Sequence, residues 1–192
     1  MAKAAWRQRV VVGALAGALG AVAAHAQPAN AGTPPPHVRG LRNGVYDGAR
    51  LLADARKASA TVRQLLEKLQ ETDVMVVVEI QDRVLNRTGH LTFVGTQHGT
   101  RWLRVTLDAG NQRLEQMAWL AHELRHAVEV AGAPEVQDVA GLGRLYARIG
   151  TNLGDGRYET DAAVKSGRQA LREVYEADGQ RKTGPTAGGR VR

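Results

Sequence analysis

Not one cysteine occurs in the 192 residues. That excludes disulfide stapling, thiolate metal ligands and lipid attachment at a cysteine, so any metal site must be built from His, Asp and Glu. The lack is compatible with an oxidising compartment, but no bridge then adds stability there. Aromatic residues make up 4% of the chain, with a single phenylalanine, which leaves few platforms for stacked bases. The one long apolar stretch, Val10 to Ala24, is shorter than the ~20 residues that a membrane-spanning helix needs. There is no internal repeat, and Gly141-Leu142-Gly143 within a helical pattern is too little for a phosphate loop.

The formal net charge of +7, from 26 basic and 19 acidic side chains, is concentrated at the ends. Lys3, Arg7 and Arg9 lie at the start, and Arg181, Lys182, Arg190 and Arg192 at the finish. Between them 19 basic residues face all 19 acidic ones. A neutral middle gives no basic surface for nucleic acid, so a nucleic-acid partner is not expected.

The basic start, the apolar Val10–Ala24 stretch and Ala24-His25-Ala26 before Gln27 form the pattern of a cleavable export signal. Gln8 separates Arg7 from Arg9, so the twin-arginine route is excluded. The expected organisation is a signal peptide over 1–26, a linker over 27–44 containing Pro34-Pro35-Pro36, one domain over 45–178 and a loose basic tail over 179–192. The chain is then secreted or periplasmic and keeps no membrane anchor after cleavage.

Within the domain, Leu51, Leu52, Ala55, Val62, Leu65, Leu66 and Leu69 mark a long amphipathic helix. Val74–Ile80 is a β-branched run of strand length. Leu91–Val94 and Trp102–Leu107 flank the turn Gly95–Thr100 as a hairpin. A helix follows over Asn111 to Gly132, with Asn111 as N-cap and Gly132 and Pro134 as its stop. A second runs through Val139, Leu142, Leu145 and Ile149, and after a polar turn at Thr151–Gly156 the last helix opens with Arg157–Ala163. One helix, three strands and three helices predict an α+β fold: a small antiparallel sheet of about three strands packed with helices.

His122-Glu123-Leu124-Arg125-His126 lies on the helix after the hairpin. Residues four apart project from one helical face, so two imidazoles can reach a single zinc ion at about 2.0–2.1 Å. Glu123, turned by about 100°, comes to lie beside that ion, where a carboxylate can take a proton from water. Leu114, Met117, Leu120, Ala121, Leu124 and Val128 supply the apolar stripe that seats the helix. A catalytic zinc takes three protein ligands. Glu159, beside the small pair Ala162-Ala163, is the first candidate for the third; Asp161 and Glu129 follow. Glu129 lies one turn beyond His126 and would suit a ring N–H acceptor better than a ligand. Arg125 is set to pair with a carboxylate such as Glu129 at i+4. Tyr158 and His98 are the candidate oxyanion donors.

These residues resemble the zincin metallopeptidases of the gluzincin type, in which H-E-x-x-H is completed by a glutamate from a later helix. His122, Glu123, His126 and Glu159 carry the resemblance. The third histidine of the metzincins is missing, since Ala127-Val128-Glu129 follows His126. The acid that gluzincins often place four residues after the ligand glutamate is here Ala163. The resemblance implies a zincin-like fold, Zn2+ held by His122, His126 and Glu159, Glu123 as general base, and a peptide or protein substrate. It also implies that the strand before the motif helix, Trp102–Asp108, offers a free edge to an extended peptide. The alternative is a catalytically inactive zincin-like binding or scaffold protein of the cell envelope, which a fourth protein ligand would mark.

Overall fold

Val74–Gln81 is apolar on nearly every residue because it lies inside a sheet rather than at its margin. The computed structural model describes residues 10–11, 37–82 and 88–183. In it, this segment (β5) pairs in parallel on one side with Val38–Gly40 (β2) and on the other with Thr100–Asp108 (β7). Gly89–Gln97 (β6) joins the far side of β7 antiparallel, giving the order β2-β5-β7-β6. Val76 is opposite both Val38 and Leu103, so the register stacks apolar side chains across the sheet. Val74, Val76, Val78, Leu91, Leu103, Val105 and Leu107 are all buried in the core, while Glu79, Arg104 and Thr106 share the opposite face.

The sheet therefore departs from expectation in two ways. It is a mixed four-stranded sheet, not a three-stranded antiparallel one, and Trp102–Asp108 is interior rather than a free edge. Periodicity identifies strands but not their partners. The edges are β2 and β6. The hairpin itself is tighter than the six-residue turn read from sequence. His98 (φ 50°) and Gly99 (φ 76°) alone turn the chain, the positive-φ pair of a two-residue hairpin. A bulge between Phe93 and Gly95 breaks the regularity of β6, which discourages edge-to-edge pairing with other chains.

The expected long helix is two, Gly48–Ala58 (α1) and Ala60–Gln70 (α2). Ser59 between them is extended (φ −126°, ψ 124°), and its Oγ accepts from Val62 N–H as the cap of α2. Ser59 also donates to Glu173 Oε2 at 2.5 Å, and the same carboxylate accepts from Thr61 N–H and Thr61 Oγ1. Glu173 belongs to Asp161–Thr183 (α5), so the break in the first helix is held by the last.

Arg113–Ala131 (α3) lies centrally, against the sheet, α1, α2 and above all α5. Gln112, not Asn111, is its N-cap; Asn111 Nδ2 donates instead to the Thr88 and Asp108 carbonyls. At its other end the buried Arg101 of β7 donates from Nη1 to the carbonyls of Val130 (2.8 Å) and Ala133 (2.7 Å), and forks onto Asp73 through Nε and Nη2. A cation at a helix C-terminus satisfies carbonyls that the helix leaves unpaired and opposes the helix dipole. Arg101 thereby fixes the motif helix to the sheet.

Val139–Ile149 (α4) follows, capped by Asp138. The segment read as a polar turn and the start of a helix is a hairpin, Thr151–Gly154 (β8) with Arg157–Glu159 (β9); α5 begins only at Asp161. Val10–Val11 (β1) pairs antiparallel with β9, and Arg42–Asn43 (β3) with Tyr46–Asp47 (β4). The folded domain thus reaches back to β2 and β3 within the stretch assigned to a linker, and α5 runs into the stretch assigned to the tail. The cleavage pattern at Ala24–Ala26, the prolines at 34–36 and residues 184–192 lie outside the described residues. Among the described residues no helix is long and apolar enough to cross a membrane.

Glu173→Ala removes an acceptor for three groups of the α1–α2 junction and should cost about 1–2 kcal/mol in urea unfolding. Burial opposes ionisation of Glu173, but its hydrogen bonds hold the carboxyl below its ordinary 4.5. A depressed carboxylate stabilises fully above that value and loses its contribution as pH falls through the folded-state pKa. The difference between wild type and variant should accordingly be constant near neutrality and shrink in acid.

Candidate metal centre

The apolar face of α3 carries its polar motif into the interior. Met117, Leu120, Ala121 and Leu124 are buried, and so are His122, Glu123 and His126, each 0% exposed. His122 packs edge-on against Trp119, one turn earlier, with ring centres 5.4 Å apart, and against His126 at 5.0 Å. Tyr146 of α4 lies edge-on to His126 and donates to its backbone carbonyl. On the sheet side Gly89 of β6 comes so close to Glu123 that a Cβ there would lie 3.4 Å from Oε1 and 2.8 Å from Leu107 Cδ2.

Glu159, the last residue of β9, completes a cluster. Its Oε2 is 3.4 Å from His122 Nε2 and its Oε1 3.6 Å from His126 Nε2. One donor atom from each of His122, His126 and Glu159 lies within 4.8 Å of the other two. These separations are long for hydrogen bonds. They are close to the roughly 3.3 Å between two donors that share a tetrahedral ion at about 2.0 Å. His122 Nε2, His126 Nε2, Glu159 Oε2 and both oxygens of Glu123 are buried without a hydrogen-bond partner. Orphans of this kind are rare, and each costs free energy unless something binds it. The donor set and its spacing fit a zinc ion.

Charge gives the same result. Burial pushes the Glu123 carboxyl up to about 8, with Glu159 and Glu129 adding repulsion against the attraction of His126. Burial raises Glu159 as well. Burial also disfavours a charged His126, yet Glu129, Glu159 and Glu123 together raise it to about 9. Burial, helped by His126, lowers His122 far below its ordinary value and leaves a neutral imidazole suited to ligation. Glu123 and Glu159, raised by burial, are the carboxyls here that a cation placed between them and the imidazoles would return to the ionised form.

The other sequence candidates fall elsewhere. Glu129 stands behind the cluster: its Oε2 is 2.9 Å from His126 Nδ1, and its Oε1 accepts from Thr160 Oγ1 at 2.8 Å. Arg125 Nε is 3.5 Å from Glu129 Oε1. Burial opposes the charge on Glu129, but these partners hold it below its usual range. Asp161 is exposed at the start of α5 and outside the cluster. Tyr158 packs against the core. His98 sits at the hairpin tip, nine residues along β6 from Gly89, or roughly 30 Å at strand rise. It cannot serve as an oxyanion donor.

No family model, curated protein or solved structure matches this chain.

Four contributors escaped the sequence reading. Thr160 had a signal, a threonine followed by an acidic residue at the start of a helical run; it caps α5 through Ala163 N–H while donating to Glu129. Trp119 had one too, three residues before His122 on the same helical face. Tyr146 and Gly89 had none, because their roles depend on the packing of separate elements.

Glu129→Ala would leave His126 Nδ1 without a partner and the Thr160 hydroxyl without its acceptor. In metal-free protein under EDTA it should cost about 1–3 kcal/mol in urea unfolding, against less than about 1 kcal/mol for Asp161→Ala. Equal costs would show that Glu129 does not brace the histidine.

Proposed function

We propose that this chain is an exported zinc-dependent hydrolase, a metallopeptidase in which His122, His126 and Glu159 hold the metal and Glu123 is the general base. The observation that carries the reading is the convergence of three orphaned buried donors beside a second orphaned carboxylate. Export rests on the signal pattern of residues 1–26. A zincin-like relation between the motif helix and the sheet is part of the proposal, with β6 rather than β7 as the edge beside Glu123.

Zinc in such a site supplies Lewis acidity that polarises a carbonyl and lowers the pKa of water to about 7. The protein's own groups do the rest. Glu129 accepts the Nδ1 proton of His126, which fixes the tautomer and turns Nε2 toward the centre. Glu123 takes the proton of the attacking water and passes it to the leaving amine. Its burial raises its proton affinity, and a cation beside it lowers that affinity toward the working range. The apolar surroundings exclude bulk water and strengthen each of these interactions. Among the described residues the cluster has three donors rather than four. That supports an open position, and so a catalytic rather than a purely structural site.

The purified chain loaded with zinc and dialysed should retain one equivalent by elemental analysis. Glu123→Gln should keep the metal and lose hydrolysis of a quenched-fluorescence peptide library by at least ~100-fold. Glu159→Ala should lose the metal, whereas Asp161→Ala should retain it. A wild type that holds no stoichiometric zinc would end the reading. Full hydrolysis by Glu123→Gln would remove Glu123 from its role.

A further inference from the structure

The helical layer extends past the sheet beside β2. Among the described residues β2 pairs on one side only, with β5. Val76 N–H donates to the His37 carbonyl, and Leu41 N–H to the Val78 carbonyl. Successive residues of a strand turn their backbone groups to opposite edges, so His37, Arg39 and Leu41 serve β5. The N–H and C=O groups of Val38 and Gly40 therefore point to the outer edge. Gly40 lets α1 press against the strand, since a Cβ there would lie 2.1 Å from Ala49 N. Beside the edge α1 presents Ala49, Leu52, Ala53 and Arg56, one face by their spacing, and α2 presents Arg63 and Leu66. With β2 they line a groove of about 530 Å³. Leu52 and Leu66 pack on the core yet stay only partly buried. From Ala49 to Arg56 the stripe rises roughly 10 Å, the span of about three extended residues, and β2 has three.

We propose that this groove docks an extended acidic peptide, supplied by another protein, as a fifth strand on β2. The outward N–H and C=O groups of Val38 and Gly40 select a peptide backbone, because an acyl chain has nothing to pair with them. The partly buried leucines would cover the side chains that such a strand turns inward, so every second residue is apolar. Charge sets the rest: Arg39, Arg56 and Arg63 border the groove against a single carboxylate, Glu67. Arg63 is already held in place, with Nη1 donating to the carbonyls of Arg56 (2.9 Å) and Lys57 (3.3 Å) at the end of α1. The occupant does not come from this chain. The residues outside the described ones contain no aspartate or glutamate, and neither does β6, the other edge of the main sheet, which a second copy could offer. Three strand spacings, roughly 14 Å, separate β2 from β6, the strand that borders Glu123. The groove is thus distinct from the cluster, and docking there does not rest on the peptidase reading.

The full chain is titrated with a fluorescein-labelled octapeptide of alternating glutamate and valine, and binding is read by anisotropy with and without EDTA. It should bind at least ~10-fold more tightly than the lysine–valine analogue. At saturation the amides of Val38 and Gly40 should exchange with deuterium at least ~10-fold more slowly. Arg56→Glu and Ala53→Glu each place an acid in the groove at an exposed position and should weaken binding at least ~10-fold while circular dichroism stays native. Arg168→Glu, the same charge change on an exposed part of α5, should leave it unchanged. A peptide N-methylated at alternate residues should not bind. Equal binding of the two charge analogues, binding of the N-methylated peptide, unchanged exchange, or full binding by both groove variants would overturn the proposal. Displacement of the peptide by one equivalent of oleate would assign the groove to an acyl chain and overturn it too, as would loss of binding in EDTA. Docking without zinc uptake or hydrolysis would uphold the groove and end the peptidase reading.

Discussion

Taking two imidazoles and three carboxylates out of water together is the constraint on which the rest of this structure depends. An isolated buried carboxylate costs several kcal/mol, and here Glu123, Glu129 and Glu159 surround His122 and His126. Glu129 is satisfied by His126, Thr160 and Arg125. Glu123 and the inward atoms of His122, His126 and Glu159 are not. The fold accepts these unpartnered buried atoms at a cost in free energy. On the proposed reading a divalent cation partners them, so metal affinity and folding stability come from the same groups.

The scaffold is correspondingly rigid where the cluster is attached. Arg101 bonds the last carbonyls of α3 and forks onto Asp73, joining the motif helix to the sheet at one end. Close packing of α5 on α3 is allowed by Ala163 and Gly167, both buried. Thr160 caps α5 and reaches Glu129, so the start of the last helix and the back of the histidine pair share one hydrogen-bonded group. Glu173, further along α5, holds the junction of α1 and α2. The last helix thus braces both the cluster and the N-terminal helical layer.

Glu159 is attached differently. It comes from a short hairpin rather than from a helix buried along its length, and that hairpin has little core of its own. Two of the three clustered residues are placed by α3, while the third comes from the β8–β9 hairpin.

The sequence by itself determined the local facts. Four-residue spacing on an amphipathic helix placed His122 and His126 on one face, and Gly132 with Pro134 ended that helix. The patterns of α4 and of the β6–β7 hairpin were legible because each depends on neighbours a few residues away. Even some local features were obscured where a single side chain acts over distance: Ser59 splits the first helix because Glu173, 114 residues later, binds it. Strand partners were not legible, so β7 was taken for an edge and the short strands β2, β8 and β9 were read as linker, turn and helix. Only the tertiary structure decided that Glu159 faces the histidines while Asp161 faces solvent, and that Glu129 stands behind them. The physical reason is that helical periodicity is set by bonds four residues apart, whereas a cluster of three side chains is set by the packing of α3, β9 and α5, whose separation in space no local pattern encodes.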